Sequence, residues 1–471
     1  MRKFLRSIPT HVYAILLAAF VIRIFWLPEN FFFGYEQGRD MLAVRGIVSG
    51  DLSLIGPWTS IPGFFHGALS YWLIVPMFIL GSGDPIFIMT VLILTNILGI
   101  YLFYKATAEL YKKEVATIST LLISVSYLSV IYARWFSNPT LVPAFIFLLY
   151  FSLVKSRKND KFLLLAVLAF AVVFHLQSIV AVTLSPVVLA LIYILKIKIR
   201  TKRVIQAIGL FVMLLASYII FDIRNDFIMS HSLLTFLKAT GGSRVTLHEI
   251  WIQLIEEVQG VFFLESRLAS VLLLVLCLNR KAIIPWLFIL ASPLFFLVVG
   301  IMPLNHYLMP VHLFLPLALA IGLRGISKYG KIWAYVLVAL VVFSNVKSLV
   351  NRLPENTGIF LYHAQRTYLG DMKNLLDYVY KDAGGREFSY DYYSVPYWHN
   401  EAWEYMFVWY GQGKYDYFPS RNRTKIFYVL IEPDETQPKY QEDWYAKLSA
   451  GSVLLEEHTS GKLKVEKREE K

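Results

Sequence analysis

One cysteine in 471 residues, Cys277, lies inside an apolar run, and a lone thiol excludes a disulfide framework or a cysteine-based metal site within one chain. Charge is scarce as well. Only 17% of the residues are charged against 57% hydrophobic, and the mean hydropathy is +0.54, so a water-soluble surface of this size cannot be covered. No Walker loop, no dinucleotide-binding glycine fingerprint and no Gly-x-Ser-x-Gly elbow occurs, which argues against nucleotide-fuelled transport, Rossmann chemistry and serine hydrolysis. Internal repeats and low-complexity tracts are also missing, and an aromatic share of 16% excludes disorder and collagen.

What is present is apolar length. With about 20 residues needed to cross the hydrocarbon core, runs near residues 11–27, 86–104, 115–132, 139–154, 162–178, 179–196, 204–222, 262–278, 283–301, 309–325 and 332–349 read as spans. That makes about eleven. Basic clusters punctuate every second gap, at Lys105/Lys112/Lys113, Lys155/Arg157/Lys158/Lys161, Lys196/Lys198/Arg200/Lys202/Arg203, Arg280/Lys281 and Arg324/Lys328/Lys331, which assigns those loops to the cytoplasm. The basic start Met1-Arg2-Lys3 with no small-residue cleavage site predicts an anchored first helix and a cytoplasmic N-terminus. The formal net charge of +12, placed mostly on these loops, points to anionic lipid headgroups and not to nucleic acid.

Residues 28–85 become one long external loop, because the apolar stretch Gly67 to Leu80 is too short to span and is interrupted by Pro76; it is expected to be an interfacial or re-entrant helix. A second external loop covers 223–261. It reads either as a lid or as a capping amphipathic helix. From residue 350 the composition shifts to shorter apolar runs and more Asp, Glu, Lys and Tyr, which predicts a small extracytoplasmic α/β domain at 350–471 beside a membrane domain at 1–349. There Met372 to Tyr380 and Trp444 to Leu448 read as helical, Arg386 to Tyr390 and Lys425 to Ile431 as strands, and the final segment as a hairpin.

The first loop opens with Tyr35-Glu36-Gln37-Gly38-Arg39-Asp40, placing two carboxylates and an Arg within one helical turn after an aromatic run. An interfacial helix with an ordinary Arg–carboxylate pair explains such a cluster equally well. Two further polar stretches fall on the same side: Gly63-Phe-Phe-His66-Gly67-Ala-Leu-Ser-Tyr71-Trp72 and Tyr132-Ala-Arg134-Trp-Phe-Ser-Asn138-Pro139. His175 and Gln177 near the end of the fifth run, His306 and Tyr307 in the turn after the ninth, and Arg224 after the seventh join them. Polar groups at such depth are expensive unless paired or used. No ligand spacing supports a divalent metal among His66, His175, His306 and Glu36, so no cofactor is expected, with a divalent metal as the alternative.

These three stretches, in this order and spacing, resemble the GT-C glycosyltransferases of the protein O-mannosyltransferase and aminoarabinose transferase type, with their bacterial RgtA/B/C/D-like branch. The resemblance covers roughly residues 10–350. It implies a mainly helical polytopic membrane enzyme at the plasma membrane that takes a sugar from a polyprenyl-phosphate donor and passes it, with inversion, to a hydroxyl of a glycan, lipid or protein acceptor. The family's acidic residue at the start of the first external loop falls on Glu36, as general base. Its usual Asp-Glu pair reads Glu36-Gln37 here and its usual proline is Ala68, which keeps Asp40 open as the base. Arg39, Arg134 and Arg224 are candidates to clamp the leaving phosphate, and His66, Tyr71, Asn138, His175, Gln177, His306 and Tyr307 to line the substrates. A transporter or lipid flippase, and an O-antigen-ligase or polymerase-like enzyme, are the alternative readings.

Overall fold

The computed structural model describes residues 9–239, 245–327, 330–353 and 367–471. The basic start, the Gly241-Gly242 pair of the second loop, Lys328 and Pro354 lie outside the described residues. Helix α1 (Thr10–Ile24) is followed by α2 (Tyr35–Val48), the antiparallel pair β1 (Ile55–Trp58) and β2 (Phe65–Gly67), and the apolar helix α3 (Leu69–Leu80). Next come α4 (Pro85–Leu110), α5 (Lys113–Val125), α6 (Tyr127–Arg134), α7 (Val142–Ser156), α8 (Phe162–Leu176), α9 (Ser178–Ile194), α10 (Thr201–Leu214) and α11 (Ala216–Arg224). α12 (Ile228–Ala239), α13 (Leu247–Val261), α14 (Arg267–Cys277), α15 (Ile283–Val299), α16 (Met309–Ile326) and α17 (Lys331–Arg352) complete the helical region.

Each apolar run expected to span is helical, but not all reach membrane length. Among the described residues six helical segments do, and the bent pairs α5/α6 and α10/α11 raise the number to eight. The others, α8, α9 and α14, have 15, 17 and 11 residues, short of a perpendicular crossing. The outward faces of these helices are apolar, with Leu189 69% and Val298 86% exposed, as lipid-facing positions require. The chain is a multi-pass membrane protein.

The run at 115–132 is not one helix, since α5 and α6 meet at a bend of 56°. Ser126 leaves the helical region there (φ −55, ψ 128), and the Tyr127 amide, which an unbroken helix would direct to the Ile123 carbonyl, turns elsewhere. That amide donates to Asn345 Oδ1 of α17 at 2.8 Å, while Asn345 Nδ2 donates to the carbonyls of Val261 and Phe262 at 3.0 and 3.1 Å. A backbone break buried among apolar side chains is tolerated only with such a substitute partner. In the second loop, α13 buries Leu254, Ile255 and Val258 against the bundle, which is the capping helix of the two readings.

The C-terminal region contains α18 (Leu369–Ala383), β3 (Ser389–Tyr393), α19 (Glu401–Met406), β4 (Ile426–Ile431), α20 (Pro438–Gly451), β5 (Ser452–Ser460) and β6 (Leu463–Glu470). Its sheet has the order β3-β4-β6-β5, parallel between the first two strands and antiparallel thereafter. The strand expected at Arg386 begins three residues later. Gly384 and Gly385 turn the chain at φ 58 and φ 80, and Arg386 folds back, its amide and Nε both donating to the Ala383 carbonyl. The expected boundary after residue 349 falls inside α17, which continues to Arg352.

The region is fastened to the segment between α1 and α2. Phe33 N donates to Thr367 O at 3.0 Å and Leu369 N to Phe31 O at 2.9 Å. Trp403, Tyr405 and Met406 of α19 join the same continuous apolar core as the membrane helices.

Candidate active site

α2 carries the Tyr35-to-Asp40 stretch, and its start is set by Gln37. The Gln37 amide accepts from Gly34 N–H at 3.0 Å and donates to Phe136 O at 2.7 Å, so the helix is tied to the segment after α6. Four residues apart on one helix, Glu36 and Asp40 share a face. Glu36 is half-buried, with the Tyr35 hydroxyl 3.4 Å away. Asp40 is buried, and its Oδ1 accepts from Arg39 Nε at 2.9 Å and Nη2 at 2.8 Å and from the Tyr71 hydroxyl at 3.3 Å. Burial pushes the Asp40 carboxyl up to about 6, against the opposing pull of Arg39.

Arg39 lies with its guanidinium 6.0 Å from the ring centre of Trp58, itself 57% exposed. A cation held by one carboxylate and lying alongside an indole is ordered yet still reachable. Beside this cluster a recess is lined by Gln37, Asp40, Ser70, Phe136, Asn138 and Thr140. It brings together residues from α2, α3 and the turn after α6, which are separate in sequence.

His66 is buried, its Nδ1 without a partner. Burial, with His306 and Arg39 nearby, holds this imidazole down at about 3, so it is neutral at neutral pH. Gly67 next to it has no room for a side chain, because a Cβ there would collide with the His175 imidazole. His175 Nε2 donates to Leu214 O at 2.9 Å, leaving its buried Nδ1 unpartnered. His306 packs edge-on to Trp135 at 5.7 Å, and Tyr307 stacks on Phe296 at 5.8 Å. Gln177 is buried at the junction of α8 and α9. The histidines expected near one another are thus at the same end of the bundle, although among the described residues no three His, Cys, Asp or Glu side chains gather as a metal site.

Two of the three arginines depart from expectation. Arg134 is buried and donates to the carbonyls of Arg23 and Phe25, each at 2.7 Å, and to Asn30 Oδ1 at 2.6 Å. It closes the C-terminal end of α1, whose last carbonyls need donors, and is not open to a phosphate. Arg224 is exposed at the end of α11 and does not line the recess. Arg39 is the cation left beside the carboxylates.

Sequence reasoning passed over Ser70 and Thr140 in the recess lining, single hydroxyls without a motif. It also missed His312, whose Nδ1 pairs with Glu257 at 3.2 Å and whose ring stacks on Tyr132 at 4.8 Å. An ionisable residue inside an apolar helix was the available signal. From the C-terminal region, His399 stacks on Tyr35 at 4.3 Å, next to Glu36.

Neither a protein-family model nor a curated protein matches the sequence. Solved structures do. ArnT from Cupriavidus metallidurans in the apo state superposes with a TM-score of 0.65 at 11% identity over 97% of each chain, and the same protein bound to undecaprenyl phosphate gives 0.64 at 12% over 97% of each. An oligosaccharyltransferase from Archaeoglobus fulgidus, complexed with Zn and sulfate, gives only 0.45 at 12%, over 79% of this chain and 55% of that one, too distant to add weight. The apolar helices, the segment carrying α2 and the C-terminal sheet together have the fold of the GT-C membrane glycosyltransferase ArnT.

Proposed function

We propose that this protein transfers a monosaccharide from a polyprenyl-phosphate carrier to an acceptor hydroxyl, with inversion, on the face of the membrane where α2 lies. The observation that carries the reading is the Glu36, Arg39 and Asp40 cluster on one turn of α2, within a fold shared over 97% of its length with ArnT, which has been seen with undecaprenyl phosphate. The basic clusters fall in the gaps between apolar runs that alternate with the α2 loop, which supports an extracytoplasmic α2 face and a cytoplasmic N-terminus.

In this mechanism Glu36 takes the proton of the acceptor hydroxyl. Its oxygens are the less committed of the two carboxylates, whereas Asp40 Oδ1 already accepts from Arg39 and Tyr71. The acceptor oxygen then bonds to the anomeric carbon as the bond from that carbon to the phosphate oxygen breaks, and the electron pair leaves with the lipid phosphate. Arg39, positioned by Asp40, meets the growing negative charge. Neutral His66 adds hydrogen-bonding capacity without adding charge. The acceptor is a glycan, lipid or protein hydroxyl.

The experiment incubates the protein in lipid nanodiscs with a panel of polyprenyl-phosphate sugars and cell-envelope extract. Mass spectrometry should find free polyprenyl phosphate and acceptor carrying one added sugar. Donor crossing the bilayer without a covalent product would establish the transporter instead, and whole-glycan transfer the ligase.

A further inference from the structure

A second groove, sharing no lining residue with the recess beside α2, lies at the end of the bundle that bears the basic loops. It holds about 390 Å³ between α7, α8, α9 and α10, and its lining, including Leu153, Ala166, Phe170, Leu189 and Ala207, is apolar apart from Ser185 and Arg203. The groove exists because α10 stands away from its neighbours. No residue of α10 is fully buried, and it touches the bundle along α8, with Phe170 and Phe211 in ring contact at 6.0 Å. An apolar gap of this kind loses its dispersion contacts unless a chain fills it.

The mouth is strongly one-signed. Lys196, Lys198, Arg200 and Lys202 are exposed there, and Arg203 lines the groove itself. Against them stands Asp160, 3.4 Å from Arg203 Nε and 3.6 Å from Arg200 Nε. From Lys161 to Phe221 the sequence has no acidic residue. Five cations facing one carboxylate at a membrane surface are complementary to an anionic headgroup.

We propose that this groove binds one anionic glycerophospholipid from the leaflet on the basic-loop side, an acyl chain lying between α8, α9 and α10 and the phosphate meeting Arg203 and its neighbouring cations. The occupant has a route to the transferase site. α10 ends at Leu214, whose carbonyl receives His175 Nε2, and His175 lies against Gly67 beside His66. A lipid that fixes α10 therefore fixes the acceptor of that histidine.

The test uses the full chain in nanodiscs of phosphatidylcholine with phosphatidylglycerol, extracted into mild detergent for native mass spectrometry. One phosphatidylglycerol should remain bound to wild type. Ala207→Trp, which fills the groove, should abolish that adduct, and Arg203→Gln, which leaves the groove open, should weaken it about five-fold, the equivalent of about 1 kcal/mol for one charge at an anionic surface. Circular dichroism checks that each variant is folded, and Arg203→Gln decides the matter should Ala207→Trp unfold. Equal retention of phosphatidylcholine and phosphatidylglycerol, or an undiminished adduct in the folded variants, would overturn the proposal.

Discussion

Gly38 of α2 lies directly against the backbone at Ala402 of α19, with no space for a Cβ between them. The glycine in the Glu-Gln-Gly-Arg-Asp stretch is therefore where the C-terminal region rests on the helix that carries both carboxylates. Gly38→Ala must push the two backbones apart, at a cost of about 1–3 kcal/mol. A lower melting temperature in detergent with transfer largely lost is expected; wild-type stability would contradict this contact.

Asp40 gives a prediction in which stability and activity part. Its carboxyl is raised from 3.8 to about 6 by burial, so the folded protein holds this proton more tightly than the unfolded chain. The stability gained is complete at low pH and is lost as pH rises through about 6. Asp40→Asn, which cannot ionise, should raise the melting temperature at about pH 8, where the ionised group costs on the order of 3 kcal/mol, and change it little near pH 4. Transfer should nevertheless fall, since Arg39 loses its anchor. Melting curves at the two pH values read the sign, and a variant less stable than wild type at the higher pH would contradict it.

Asn345 is expected to be a stability residue without a role in transfer. Replacing it by Ala leaves the Tyr127 amide and the carbonyls of Val261 and Phe262 short of partners. Each buried orphan costs about 1–3 kcal/mol. Thermal unfolding should shift well below wild type, and an unchanged midpoint would show that water or the backbone itself repairs the break.

Gly67→Ala tests the histidine arrangement. The new methyl displaces His175 and with it the bond to Leu214 O, so transfer should drop about ten-fold or more from a small misplacement near the chemistry. Initial rates in nanodiscs measure this, and full activity would separate His175 from the site.

The helices were legible because apolar length is a local signal: every expected span has a helix beneath it. The α2 cluster was legible for the same reason, its charges being within one turn. What sequence could not show were partners far away in the chain. Asn345 is 218 residues from the Tyr127 amide that it receives, and Arg134 is 111 residues from the Arg23 carbonyl it closes. An arginine near an aromatic motif reads as a ligand when its helix-end partner is invisible. Between Glu36 and Asp40, too, spacing alone could not decide which carboxylate would be committed to an arginine and a tyrosine.

The most direct measurement of the account compares wild type and Glu36→Gln in nanodiscs supplied with polyprenyl-phosphate sugar and acceptor, following free polyprenyl phosphate and glycosylated acceptor by mass spectrometry. The account predicts both products from wild type and a loss of at least about a hundred-fold in the variant, which still binds donor, as removal of a general base produces. Full transfer by Glu36→Gln would contradict it.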